Sequence, residues 1–181
     1  MIEAIGLEKT IKHLLEYRNK LETKRIELIG RLAEIGIETA RTGFAEASYS
    51  GTNDVEVGDV IWESKNKAYI VASGSKVLFV EFGSGTFFRD YPGKLPAGVS
   101  PRGTYGKGLG EKPPWEYAGE MGDNPPYGTE QATNSKGDPQ YTASGEPLIK
   151  TLGNPPARAM YDAGRRMRLE LERIAKEVFH D

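Results

Sequence analysis

The sequence predicts an α+β domain spanning residues 1–181. It has a long N-terminal helix, a short antiparallel β meander, an extended Gly/Pro/Tyr-rich insertion loop over residues 84–150, and a C-terminal amphipathic helix packed on the sheet. Three observations carry that expectation. Apolar residues recur at helical spacing at both ends of the chain. Short β-branched and aromatic runs, punctuated by Gly, Ser and Asn, lie between them. All eleven prolines of the 181 residues fall between Pro92 and Pro156, so the segments on either side are free of them.

The first helix is expected over Leu7 to Ala40. Leu7, Ile11, Leu14, Leu21, Leu28, Leu32 and Ile35 follow one another at alternating steps of three and four, with Arg18 and Arg25 completing the series. Ile26, Ile29, Ala33 and Ile37 widen the stripe, which is the signature of a helix with one buried face. Gly30 and Gly36 each cost about 1 kcal/mol relative to alanine inside a helix, which predicts a kink or end near Gly36.

The meander follows. Asp54-Val55-Glu56-Val57 alternates and runs on into Val60-Ile61-Trp62, Lys65-Asn66-Lys67 turns, and Ala68 to Ala72 forms a second strand. Ser73-Gly74-Ser75 turns again, and Val77 to Phe82 reads as a third strand. Tight connections of this kind pair strands antiparallel. The last element opens at Asn154-Pro155-Pro156, where Asn154 is placed to cap a helix and proline suits the first turn. Met160, Ala163, Met167, Leu171, Ile174 and Val178 then keep helical spacing.

Composition limits the chemistry. Twenty-four basic residues stand against 26 acidic ones, a net charge of −2, which argues against a strongly cationic nucleic-acid binder. There is no cysteine, so disulfides, thiolate metal sites and cysteine nucleophiles are excluded. His13 and His180 lie one near each end, neither with a ligand at i+4, and both read as solvated. No metal or other cofactor is expected. No apolar run is long enough to span a membrane, and the first residues lack the basic start and apolar core of a secretory signal, so a soluble cytoplasmic product is the default.

Several motifs invite chemistry without completing it. Gly83-Ser84-Gly85 lacks the third glycine of a dinucleotide fingerprint, and no Gly-Lys-Ser/Thr follows; it reads as a strand-ending turn. The run Gly103 to Gly110 has no preceding strand and reads as a flexible loop. Glu81, between Val80 and Phe82, would face away from both, as a solvent-facing or interface ion pair. As a catalytic acid it would need a second group that the sequence does not supply. No Gly-x-Ser-x-Gly elbow occurs. Arg158, Arg165, Arg166, Arg168 and Arg173 share the last helix with Asp162, Glu170, Glu172 and Glu177. That mixture favours salt bridges between subunits over phosphate contacts. Tyr91, Tyr105, Trp115, Tyr117, Tyr127 and Tyr141 are scattered through the insertion, and aromatic anchors of this sort are enriched where protein surfaces meet.

Val77-Leu78-Phe79-Val80-Glu81-Phe82-Gly83-Ser84-Gly85-Thr86 resembles the Val-Glu-Phe-Gly-Thr-Gly strand-and-turn of the tailed-bacteriophage neck and tail-completion proteins. That family is typified by the gene-ten product of a lambda-like siphophage. Pro156-Ala157-Arg158 is similar to the family's Pro-Ala-Arg entry into its closing helix, and the order of elements is similar too. The resemblance covers roughly residues 7 to 86 and 150 to 180. Ser84 stands for the usual threonine, Ala159-Met160 for a common Pro-Phe pair, and the insertion is longer than the family's.

The resemblance implies a non-enzymatic virion structural protein. It would form a ring in the neck or tail-completion complex, joining head and tail or closing the tail tube. Implied partners are copies of itself, about six or twelve to a ring, and neighbouring head–tail connector, tail terminator or tail tube proteins. DNA would pass the channel without specific binding, no membrane is involved, and the location is the virion, with host cytoplasm during assembly. The residues expected at subunit or partner interfaces are Tyr105, Trp115, Tyr117, Tyr127, Tyr141, Glu81, Arg158, Arg165 and Arg166. Two alternatives stand beside this reading: a small hydrolase or nucleotide-binding enzyme using Glu81 and the Gly83–Gly85 turn, and a DNA-binding accessory protein using Arg165, Arg166 and Arg168.

Overall fold

The computed structural model describes residues 4–85, 91–97, 99 and 114–180. Helix α1 spans Ala4–Ala45 and is continuous through both glycines. The helix does not end near Gly36, and the reason is packing. A Cβ on Gly36 would stand 2.8 Å from Met167 Sδ and collide with the Ile70 side chain. The helix uses glycine there to let two neighbours approach, and their burial offsets the propensity cost.

The meander is present as four short strands in two antiparallel ribbons. Strand β1 (Glu56–Val57) pairs with β4 (Ala72–Ser73), with Glu56 opposite Ser73. Strand β2 (Ile61–Ser64) pairs with β3 (Lys67–Tyr69), with Ile61 opposite Tyr69.

The expected third strand is instead helix α2, Val77–Phe82. Five apolar residues interrupted by one glutamate, Glu81, show too little period-2 alternation to distinguish strand from helix by themselves. Two contacts decide it. The Asp54 carboxylate accepts hydrogen bonds from the backbone N–H of Ser75 (2.8 Å) and Lys76 (3.0 Å), satisfying donors at the start of the helix. At the other end Val80, Glu81 and Phe82 are buried.

The described part of the insertion is not the extended loop expected over 84–150. Strands β5 (Trp115–Ala118), β6 (Glu130–Gln131) and β7 (Leu148–Thr151) form an antiparallel sheet in the order β5-β7-β6. Two hairpins of the same design lie between β6 and β7. In the first, Asn134 N–H donates to Asp138 O and Gly137 N–H to Asn134 O; in the second, Thr142 N–H donates to Glu146 O and Gly145 N–H to Thr142 O. Both glycines have φ near 87°, so each sits where a type I turn closes into a bulge. Glycine-rich turns and polar strands give this segment a loop-like composition, but its backbone hydrogen bonds are largely its own.

Helix α3 spans Ala159–Phe179. It runs antiparallel to α1: Ala159 lies on Gly43, Met167 on Gly36, and Arg31 pairs with Glu177. Ile37, Ala40, Phe44, Val57, Val80, Ala159 and Ala163 form the core where α1, α2, α3 and the first ribbon meet. The architecture is therefore α+β, with long helices at both ends of the chain and small antiparallel sheets between them. No described helix is long and apolar enough to cross a membrane.

Candidate functional site

The two segments that carry the family resemblance lie about seventy residues apart in sequence and meet in space. Ser84 N–H donates to Asn154 O (2.8 Å), Ser84 Oγ to Asn154 Oδ1 (2.6 Å), and Asn154 N–H to Ser84 Oγ (3.2 Å). Asn154 Nδ2 donates to Phe79 O at 2.8 Å, and Ala157 N–H to Val80 O at 2.8 Å. Ser84 and Asn154 are buried, so each polar group must find a partner inside the protein, and these pairs supply them; the buried Thr151 hydroxyl accepts from Gly153 N–H at 3.1 Å. Gly153, at φ 104°, brings its backbone against Ser84 O, where a Cβ would collide.

This junction seats the start of α3. Asn154 does not cap that helix, which begins at Ala159 rather than at the prolines. The cap comes from α2. The Glu81 carboxylate accepts hydrogen bonds from Met160 N–H (Oε2, 3.0 Å) and Tyr161 N–H (Oε1, 3.2 Å). Its backbone carbonyl accepts from Arg158 N–H. A carboxylate there answers both the orphan donors and the positive end of the helix dipole. Arg158 holds a left-handed backbone (φ 57°), an unusual conformation for a side-chain-bearing residue, fixed by these contacts.

Glu81 is 4 % exposed, so the expected solvent-facing residue on a strand is instead a buried one on a helix. Burial raises its pKa, opposed by the hydrogen bonds from Met160, Tyr161 and Tyr91. Tyr91 donates to Glu81 Oε1 at 3.2 Å and packs edge-on against Phe82. Burial raises its phenol well above the ordinary value, and the Glu81 charge adds to the effect.

The remaining expected interface residues divide into two groups. The first turns toward the protein's own body. Trp115 lies over Gly85 with its ring against the Gly83–Gly85 turn, and Tyr117 donates its hydroxyl to Ser50 O. The same contact region ties the insertion to the end of α1, through Tyr49 N–H to Asn124 O and Gly122 N–H to Ser50 O, both 3.0 Å. Tyr49 is pushed up to about 12 by burial, with smaller contributions from Tyr117 and Asp54. The second group faces outward. Tyr127 is 92 % exposed and Tyr141 is also exposed. Arg158, Arg165 and Arg166 are exposed around α3, with Arg166 paired to Glu170 at 2.7 Å. Tyr105 and the glycine run around it lie outside the described residues.

The Gly83–Gly85 turn offers no cradle for a phosphate, because Pro156, Asn154, Leu152 and Trp115 already fill the space against it. Among the described residues no cluster of His, Asp and Glu is arranged to hold a metal ion. Sequence reasoning missed Ser84 and Asn154 as junction residues and Asp54 as the carboxylate at the start of α2. Each carried only a local turn or cap signal, and nothing in the sequence links 54 to 75 or 84 to 154.

One further surface stands out. Residues 6–21 of α1 are exposed on every face, including Leu7, Ile11, Leu14, Leu15, Tyr17 and Leu21. Glu177, near the C-terminal end of α3, pairs with Arg31, and residues 6–21 of α1 stand clear as an overhang.

No protein-family profile matches the sequence, and no curated protein or solved structure matches it either.

Proposed function

We propose that the chain is a non-enzymatic structural subunit of a tailed-phage virion, forming a ring in the neck or tail-completion complex that joins head and tail or closes the tail tube. The observation that carries this reading is the junction. The two short segments on which the resemblance rests form one interlocked, buried unit that orients the closing helix, which is what a shared scaffold motif would do. In this reading the residues of the motif are architectural: Glu81 holds the helix start, Ser84 locks the turn against Asn154 just upstream of Pro156, and glycine permits the close approach. The outward Tyr127, Tyr141 and α3 arginines are available for neighbours, which would be copies of the chain in a ring of about six or twelve and the flanking connector, terminator or tube proteins. The near-neutral net charge suits a channel that lets DNA pass.

The alternative of a hydrolase or nucleotide-binding enzyme built on Glu81 and Gly83–Gly85 loses its support from geometry, since the carboxylate is engaged by a helix terminus and the turn is covered. The test is quantitative mass spectrometry of purified particles from the genome that encodes this sequence. A fixed small number of copies per particle is expected. Absence of the chain from intact, infectious particles would overturn the proposal.

A further inference from the structure

The overhang of α1 is exposed on every face. Its sixteen exposed residues gain no stability from packing, the source of most helical stability in proteins, and it presents six large apolar side chains to solvent. It is also basic. Lys9, Lys12, Arg18 and Lys20 stand against Glu8 and Glu16, a formal +2 on a chain whose total is −2. Two overhangs would therefore repel one another, and the surface that receives one should be acidic.

The opposite end of the same helix carries such a surface. An open groove of about 590 Å³ runs between α1 and α3. Thr39 and Gly43 of α1 and Ala159 of α3 line it with small side chains, and Ile35 adds an apolar contact. Glu38, Glu46 and Asp162 rim it, and none of the three forms an ion pair with the described residues. The arginines on the α3 side, Arg166 and Arg173, are each held by Glu170 at 2.7 Å. A groove between two antiparallel helices with small residues along its floor is the shape that takes a third helix at ordinary interaxial spacing.

We propose that the overhang of one copy seats in the α1–α3 groove of a second copy, Leu7, Ile11 and Leu14 inward and the lysines and Arg18 toward Glu38, Glu46 and Asp162. Thr10 and Thr42 are 32 residues apart on one helix, about 48 Å, so the overhang cannot reach its own groove. The contact is head-to-tail, the heterologous kind that propagates and closes into a ring when the rotation permits. It names the self-contact of the ring proposed above and rests on that reading for its biological setting.

The absence of cysteine makes a direct test available. A double variant, Thr10→Cys with Thr42→Cys, is treated with a short bismaleimide at high protein concentration and resolved on a denaturing gel. A ladder of covalent multimers is expected, with a single dimer band when the two single variants are mixed and none from either alone. Adding Glu38→Lys and Glu46→Lys should abolish the ladder, and Lys9→Glu with Arg18→Glu on the same chain should restore it. Circular dichroism checks that each variant is folded. No ladder at high concentration, self-crosslinking of Thr10→Cys alone, or indifference to charge reversal would overturn the inference. So would binding of the overhang to phosphatidylserine vesicles in place of the ladder. A ladder from a protein absent from the particle would leave the docking standing and remove the virion role; a chain present in the particle but giving no ladder would remove the docking alone.

Discussion

Replacing Glu81 with alanine should unlatch α3 from α2. The carboxylate is 4 % exposed and accepts hydrogen bonds from Met160 N–H, Tyr161 N–H and the Tyr91 hydroxyl at 3.0–3.2 Å. Truncation strands two helix-terminal donors away from water, each worth about 1–3 kcal/mol when unsatisfied. Taking both in the lower half of that range gives a loss of roughly 2–4 kcal/mol, or about 4–16 °C in Tm for a domain of this size. Glu81→Gln keeps one acceptor oxygen and should lose about half as much. Urea unfolding followed by circular dichroism at 222 nm measures both. An alanine variant within about 0.5 kcal/mol of the parent would refute the capping role. The pH dependence has a definite sign. Burial raises the Glu81 pKa, so the folded state holds that proton more tightly than the unfolded state. Its contribution is complete below the ordinary value of 4.5 and is lost as pH rises through the raised one. Glu81→Gln should remove that slope.

Asp54 should behave in the opposite sense. Its hydrogen bonds, the Ser75 hydroxyl first, lower its pKa, so its contribution is present at neutral pH and lost as pH falls through the lowered value. Because the carboxylate is exposed, Asp54→Asn should cost about 1 kcal/mol or less at pH 7 and nothing in strong acid, read by urea titration at the two pH values. Gly153→Ala, at φ 104° with Ser84 O in the way, should cost on the order of 1–3 kcal/mol, checked by thermal unfolding. Deleting residues 1–17 removes exposed helix, so the unfolding free energy per chain should stay within about 0.5 kcal/mol in dilute monomeric protein.

The helices were legible in the sequence because their signals are long. Six α3 apolar positions at steps of three and four leave little room for another assignment, and Ala163, Ile174 and Val178 are indeed buried. The stripe on α1 was equally readable, but periodicity marks a face that wants a partner without saying whether the chain supplies one. From Leu28 onward the stripe meets α3, whereas Leu7, Ile11, Leu14 and Leu21 are exposed. Val77 to Phe82 is ambiguous because so short a run, five apolar residues and Glu81, suits strand or helix, and the Asp54 carboxylate that meets its start lies over twenty residues upstream. The insertion is illegible for a different reason: Asn134–Gly137 and Thr142–Gly145 have the composition of loop yet close two tight turns. The junction was visible only in halves, since no local rule pairs Ser84 with Asn154 or Glu81 with the start of a helix eighty residues later.

The most direct test of the structural role is a cryo-EM reconstruction of the particle's neck and tail ends. The account predicts a ring whose subunits show α1 and α3 antiparallel, with the front of each α1 lying against the next subunit. A complete reconstruction in which every neck and tail density is explained by other chains would contradict it.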